Sequence, residues 1–398
     1  MLPRRCAVVR SVSATLVALW IAGPLGGYAG PFAVAAQAGA LQAAGDPSPR
    51  VVEADQALAA GKFSRAAELY REELAQRPDE ASLWVKLGMA LHDGGRPGEA
   101  IAAFRRYVEL MPEVPDGWVF LGLSEYAAGY YDAALADLSR GLRLGIPNSR
   151  ALRGIAGLRT AALLNRRGAF EEALQLLSVV GQFEENDEAL IETFGAAVLR
   201  IRALPAELPA KLRGPADLAG RGALAMTRGK NQEARQYFDT LVERYPEARG
   251  VHYARAAFLS QDDPETAVEE FRKELEHHPD FFDARLRLGN LLWQLGRFRE
   301  AREEAEAAVR LDPESVHALF LLGRVYISLG EPEEAIRWLE EARVKAPDSS
   351  RVLVALQQAY ARAGRTEQAE ALRRQLLRQA PGKTGTPRAP GHPLAPQP

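Results

Sequence analysis

One alanine returns on a fixed period. Ala66, Ala100 and Ala134 stand 34 residues apart, and Ala234, Ala267, Ala301, Ala335 and Ala369 follow one another at 33 or 34. Between the two sets lies Ala173, 39 residues after Ala134 and 61 before Ala234. Five residues ahead of these alanines stand Gly61, Gly95, Gly129, Gly168, Gly229, Gly296, Gly330 and Gly364, with Asp262 as the one substitute. Prolines close the segments at Pro78, Pro112, Pro246, Pro279, Pro313, Pro347 and Pro381. An offset kept across three residue types implies a structural unit of that length, repeated along the chain.

The content of one unit says what it is. In residues 83–112, Trp84, Leu87 and Leu91, then Ile101, Phe104 and Val108, fall at helical spacings, which predicts two amphipathic helices. The stretch between them, HDGGRP, is too polar and glycine-rich to remain helical and predicts a tight turn. Gly88 and Ala100 lack bulk where two helix axes approach. Pro112 stops the second helix, and the acid behind it suits the next helix start. A single pair would leave apolar surface in water, and stacking the next pair covers it. Tryptophan, phenylalanine and alanine at these places are expected to be structural: Trp84, Phe104, Ala301 and Ala335. The fold class predicted is all-α, an α-solenoid of about nine helix-turn-helix units with a degenerate central one.

By these residues the chain resembles the tetratricopeptide repeat family. Its pattern W-x2-L-G-x2-Y, A-x3-F, P is met by Trp84, Leu87, Gly88, Ala100, Phe104 and Pro112, with Leu91 in the tyrosine place. Gly323, Tyr326, Ala335 and Pro347 match it again, as do Leu288, Gly289, Ala301 and Pro313. Tyr360, Ala369 and Pro381 match in the last unit, where Gln357 replaces the contact glycine. The resemblance covers roughly residues 47–381 and implies a right-handed superhelix that binds a partner. It does not imply any one partner.

The period divides the chain. An N-terminal array is expected over 47–185 and a C-terminal array over 215–381. Residues 186–214 hold a degenerate helix and a proline-rich joint, with Pro205, Pro209 and, just beyond, Pro215. That stretch reads either as a joint between two arrays or as an irregular, rigid repeat inside one solenoid. The last residues, 382–398, are proline-rich and low in apolar content, which predicts a disordered tail. Residues 1–38 open with Arg4, Arg5 and Arg10, run through SVSATLVALWIAG, break at Pro24 and end in small residues, the pattern of a signal peptide. The alternative is an uncleaved N-terminal anchor. Either places the chain outside the cytoplasm, periplasmic, secreted or anchored facing outward.

Composition narrows function. At 47% hydrophobic and 26% charged the chain can build a core, and a formal charge of −2 gives no sign of nucleic-acid binding. Cys6 is the single cysteine, inside the signal stretch, so no disulfide is expected in the remainder. No catalytic constellation is found. The histidines His92, His252, His277, His278, His317 and His392 make no H-E-x-x-H or comparable metal pattern. MTRGKN, residues 226–231, lacks the glycine and hydroxyl residue of a phosphate loop. Neither a nucleophile elbow nor a dinucleotide fingerprint is present. No cofactor and no metal site are expected, and the reading is a non-catalytic scaffold.

In the family, the first helices of the pairs line a concave groove that holds extended peptides. Projected onto this chain, Val51, Val85, Met89, Val119, Leu123 and Tyr126 give that groove an apolar first half. Arg249, His252, Asn290, Trp293, His317, Phe320, Arg324, Arg351, Gln358 and Arg362 give it a polar and aromatic second half. The expected ligand residues are Asn290, Trp293, His317, Phe320, Arg324, Arg351 and Gln358, a mixture suited to carboxylates and peptide backbone. The partner expected is a protein or an extended peptide, with an acidic segment as the candidate. A co-chaperone branch of the family grips a peptide C-terminus with Lys, Arg and Asn. Asn290 and Arg324 fall on matching rungs, but Leu286 stands where the lysine should be, so that role is not assigned. Exported relatives serve in envelope and secretion assemblies, which implies a scaffold of the cell envelope; the alternative is a membrane-tethered or self-assembling adaptor there.

Overall fold

A computed structural model describes residues 47–147, 149–183 and 188–379. The expected signal segment 1–38 and tail 382–398 lie outside the described residues. Among the described residues the regular structure is all helical, nine pairs of helices and one extra. The pairs before the extra helix are α1 Pro49–Ala59 with α2 Phe63–Leu74, α3 Ala81–Asp93 with α4 Pro97–Leu110, α5 Pro115–Ala127 with α6 Tyr131–Leu144, and α7 Arg150–Arg167 with α8 Phe170–Val180. The extra helix is α9, Glu188–Val198. After it come α10 Ala210–Thr227 with α11 Asn231–Arg244, α12 Val251–Leu259 with α13 Pro264–His277, α14 Phe282–Gln294 with α15 Phe298–Leu311, α16 Val316–Leu329 with α17 Pro332–Lys345, and α18 Ser350–Arg362 with α19 Thr366–Gln379. This is the all-α repeat solenoid that the 34-residue period implies.

Local chemistry sets the helix ends. Ser48, Ser149, Asp263 and Ser315 accept hydrogen bonds from backbone N–H groups three residues on, and Pro97, Pro115, Pro264 and Pro332 occupy first-turn positions that need no donor. The turn inside most pairs uses a glycine at positive φ, for example Gly95 at 74°. Asp262 does not copy that conformation; the turn before α13 closes instead through the Asp262 and Asp263 N–H groups, both donating to the Leu259 carbonyl. The periodic alanines from Ala66 to Ala335 are fully buried, and a Cβ added to Gly88 would lie 2.5 Å from the Phe104 ring. Small residues are required where the paired helices touch.

A second device recurs between units. Trp84 donates its indole N–H to the Pro78 carbonyl at 2.7 Å, and Trp118 does the same to Pro112 at 2.8 Å. Arg285 reproduces the bond with its Nε to Pro279 at 3.0 Å. Each ties the first helix of a pair to the proline that closes the pair before it. Trp84 was expected among the buried core residues; it is half-buried, because its ring must reach that carbonyl at the surface. Phe104, Ala301 and Ala335 are fully buried.

The described residues form two compact units that divide after Ala254. The segment 186–214 does not coincide with that division; it lies inside the first unit. Helix α9 crosses α10 at backbone contact, since a Cβ at Gly195 would enter the Ala216 carbonyl and one at Gly220 the Ile191 carbonyl. Pro205 opens a single 3-10 turn, Pro209 precedes α10, and Pro215 lies within that helix. Arg200 sits just beyond the end of α9 at φ 57°, the one non-glycine at positive φ among the described residues. Its side chain is nearly enclosed, pairs with Glu171 at 2.6 Å and donates its Nε to the Tyr253 hydroxyl at 3.0 Å. That bridge fastens the irregular segment to its neighbours.

Candidate functional site

In the second unit, Gly289 and Gly323 fix the helical register of α14 and α16. Trp293, one turn after Gly289, stays near the glycine's side of its helix, whereas Arg324, directly after Gly323, stands about 100° round from it. The structure brings them together: the Arg324 guanidinium carbon lies 3.7 Å from the centre of the Trp293 ring and 5.3 Å from that of Phe320. Trp293 donates its indole N–H to Ser328 Oγ at 2.9 Å, and Ser328 in turn donates to the Arg324 carbonyl at 3.1 Å. The shelf is therefore held in place from beneath. Stacking of a guanidinium on an indole stabilises by roughly 0.5–2 kcal/mol, more as water is excluded.

Arg324 has the stack but no counter-charge. Among the described residues no carboxylate pairs with it, and no acceptor takes its guanidinium N–H groups. Burial lowers its pKa below the usual arginine value, and the nearby charge of Arg351 lowers it further. Arg351, exposed at the start of α18, is likewise without a carboxylate partner among the described residues. Helices α14, α16 and α18 together carry five arginines and one acid, Asp283. The second helices α13, α15 and α17 carry thirteen glutamates against eight lysines and arginines. Charge is segregated by helix, and the first-helix side of this unit is the cationic one.

The remaining expected ligand residues are placed differently. His317 and Gln358 are exposed, and Phe320 is half-buried beside the stack. Asn290 turns its amide back to the Leu286 carbonyl of its own helix at 2.9 Å. Arg362 donates to the Ile327 carbonyl and so braces α18 against α16. Val354, 52% exposed on α18, was not singled out in the sequence, nor was Ser328. A hydroxyl one turn after Arg324 was the available signal for Ser328; none existed for Val354.

The apolar half of the expected lining requires correction. Val51, Val85, Met89, Val119 and Leu123 are all at most 4% exposed and belong to the hydrophobic core of the first unit. They pack helices together and present no apolar surface to a ligand. Tyr126 is half-buried under Arg159, at 5.0 Å. His252 is buried as well. His92 is half-buried beside Ser124, with Nδ1 and Oγ 2.8 Å apart; the Ser124 proton is committed to the Phe120 carbonyl, so His92 is the donor. Burial pushes the His92 pKa down to about 4, which keeps it neutral. Among the described residues no three His, Cys, Asp or Glu side chains converge as a metal site would need, and no helix is long and apolar enough to cross a membrane.

Comparisons with known proteins agree with the repeat architecture. Tetratricopeptide repeat profiles match residues 51–116, 220–280 and 286–350, and others match 258–309 and 352–387. The Protein STIP1 homolog of Dictyostelium discoideum is 33% identical over 98 residues, 24% of this chain and 17% of that protein. The peroxisomal targeting signal receptor of Eremothecium gossypii is 32% identical over 82 residues, 21% of this chain and 14% of the receptor. The chain thus spans less than a fifth of the length of these curated relatives. Among solved structures, MamA from Desulfovibrio magneticus RS-1 is 22% identical, with 43% of this chain and 95% of that one covered at a TM-score of 0.39. A MamA double mutant gives 22% identity, 43% and 94% coverage and a TM-score of 0.40. With repeat matches over residues 51–116, 220–350 and 352–387 and nine helical pairs among the described residues, the chain belongs to the tetratricopeptide repeat family.

Proposed function

We propose that this protein is a non-catalytic, protein-binding scaffold of the cell envelope, and that the first helices of its second unit hold an extended acidic segment of a partner. The observation that carries the reading is Arg324, half-buried on Trp293 and Phe320, facing Arg351, with no acceptor for its guanidinium among the described residues. A desolvated cation without a counter-charge is a cost in the free protein that a ligand carboxylate offsets, and a charge-assisted hydrogen bond contributes about 1.5–3 kcal/mol. The segregation of arginine to α14, α16 and α18 favours an acidic partner over a neutral one. The basic and apolar opening of the sequence supports export. The relatives named for targeting-signal reception and the repeat family itself support a binding role.

The test is exchange of Arg324 and Arg351 for Glu, followed by affinity recovery from the native host with cross-linking. Recovery of one partner by the wild type and its loss from the double variant supports the reading. Equal recovery by both rules it out.

A further inference from the structure

One position of the repeat is filled by an unexpected residue in the first unit. Three residues after its helix glycine, Tyr326 on α16 donates its hydroxyl to Glu306 on α15 at 3.0 Å. Tyr360, in the same register on α18, donates to Glu340 on α17. In α5 that place, three residues after Gly122, belongs to Glu125. Its carboxyl group reaches back over the same 20-residue separation to Arg105 on α4, at 3.3 Å. The rung keeps its geometry, but its acid has moved from the second helix, where Glu306 and Glu340 stand, to the buried first helix.

The consequence is an ill-compensated carboxyl. Glu125 is 1% exposed, and as a carboxylate its Oε2 receives no hydrogen bond from any donor among the described residues. Arg105 is 61% exposed, so water screens most of what it offers. The Asp137 carboxyl on α6 faces Glu125, and Arg140 of the same helix acts on Asp137 rather than on Glu125. On α3 His92 is bonded to Ser124 and neutral, and on α7 Arg159 is placed over Tyr126. An ionised Glu125 would thus be a second negative charge beside Asp137 in a nearly dry site, with exposed Arg105 acting on both carboxyls and Arg140 on Asp137 alone.

We propose that Glu125 is folded as the neutral acid, sharing its proton with Asp137, and that this rung makes the first unit hold more tightly in mildly acidic than in neutral solution. Burial first, and then Asp137, raise the Glu125 pKa to about 7, and burial raises that of Asp137. The sign follows from linkage. Below the unfolded value of 4.5 both states carry the proton and the full stabilisation is present; from there to about pH 7 the unfolded chain loses its proton first, and the stabilisation disappears. Above about pH 7 no further change comes from this group. The device tunes the strength of the first unit to the acidity of its compartment, and it acts apart from the ligand surface on the second unit.

The experiment is amide hydrogen exchange of the full-length protein at pH 5 and pH 7.5, corrected for intrinsic rates, with α14–α19 as the internal reference. Relative to Glu125→Gln, which is always neutral, the wild type should lose at least tenfold in protection of α4–α6 over that interval. Asp137→Asn should flatten the loss, and Arg105→Gln should deepen it. Equal pH dependence in wild type and Glu125→Gln overturns the proposal. Should Glu125→Gln fail to fold, equal pH dependence in wild type, Asp137→Asn and Arg105→Gln overturns it as well.

Discussion

Arg324 and Trp293, on the first helices of adjacent repeats, stack with 3.7 Å between the guanidinium carbon and the ring centre. The pair joins a stabilising contact to an unspent set of hydrogen-bond donors. Removing the shelf should therefore separate stability from binding.

Trp293→Leu leaves Arg324 without its platform and Ser328 without its donor. Affinity for an acidic peptide should fall about three- to thirtyfold, the range of a partly desolvated cation–π contact. The melting temperature should move by only a few degrees, because Trp293 is half-buried. Fluorescence anisotropy with a labelled peptide captured by the wild type, together with circular dichroism, checks both.

Ala301→Leu should lower thermal stability more than Phe320→Ala. Ala301 is fully enclosed between helices, so added bulk costs about 1–3 kcal/mol through overpacking. Phe320 is half-buried, and its loss is felt mainly in the ligand surface. The reverse order in thermal melts followed by circular dichroism would show that core and surface have been exchanged.

Gly195→Ala and Gly220→Ala should each destabilise the first unit by about 3 kcal/mol or more. In both, the new methyl would enter a backbone carbonyl of the crossing helix, which no rotamer change can avoid. Early loss of helical signal in urea, with the second unit's transition unchanged, is the expected result.

Arg200 yields an unusual ordering. Arg200→Gly removes the bridge to Glu171 and Tyr253 but relieves a left-handed backbone; Arg200→Ala removes the bridge and keeps the strain. The glycine variant should be the more stable by about 1 kcal/mol, and both should fall below wild type. Urea midpoints of the two variants decide it.

Export is checked at the N-terminus. Intact mass of the protein recovered from its native host should show loss of roughly the first 35–38 residues, consistent with small-residue cleavage sites after Ala35 or Ala38. Retention of the full N-terminus would favour the anchored alternative.

Much of the candidate site was legible, but unevenly. Trp293, Phe320 and Arg324 were placed on one side by projecting the family's repeat pattern onto α14 and α16. That Asn290 spends its amide on its own backbone, or that Arg362 braces a neighbouring helix, could not be read, since both depend on rotamers chosen by contacts between repeats. The segment 186–214 left two readings open, a joint between arrays or an irregular, rigid repeat, because its prolines fit either. Pro215 lies inside a helix, and the close crossing of Gly195 and Gly220 holds that region more tightly than its composition suggested.

The period alone determined the helical pairs, their number and their turns, because a 34-residue repeat of small and large apolar residues has one economical way to bury itself. It could not determine exposure. Val85 and Phe320 both stand three residues before their helix glycine, and Met89 and Arg324 both directly follow it. In the first unit these places are sealed in the core; in the second they hold a cation on an aromatic shelf. Sequence register sets which way a side chain leaves its helix, but whether anything covers it depends on the size and charge of neighbours brought there only by packing.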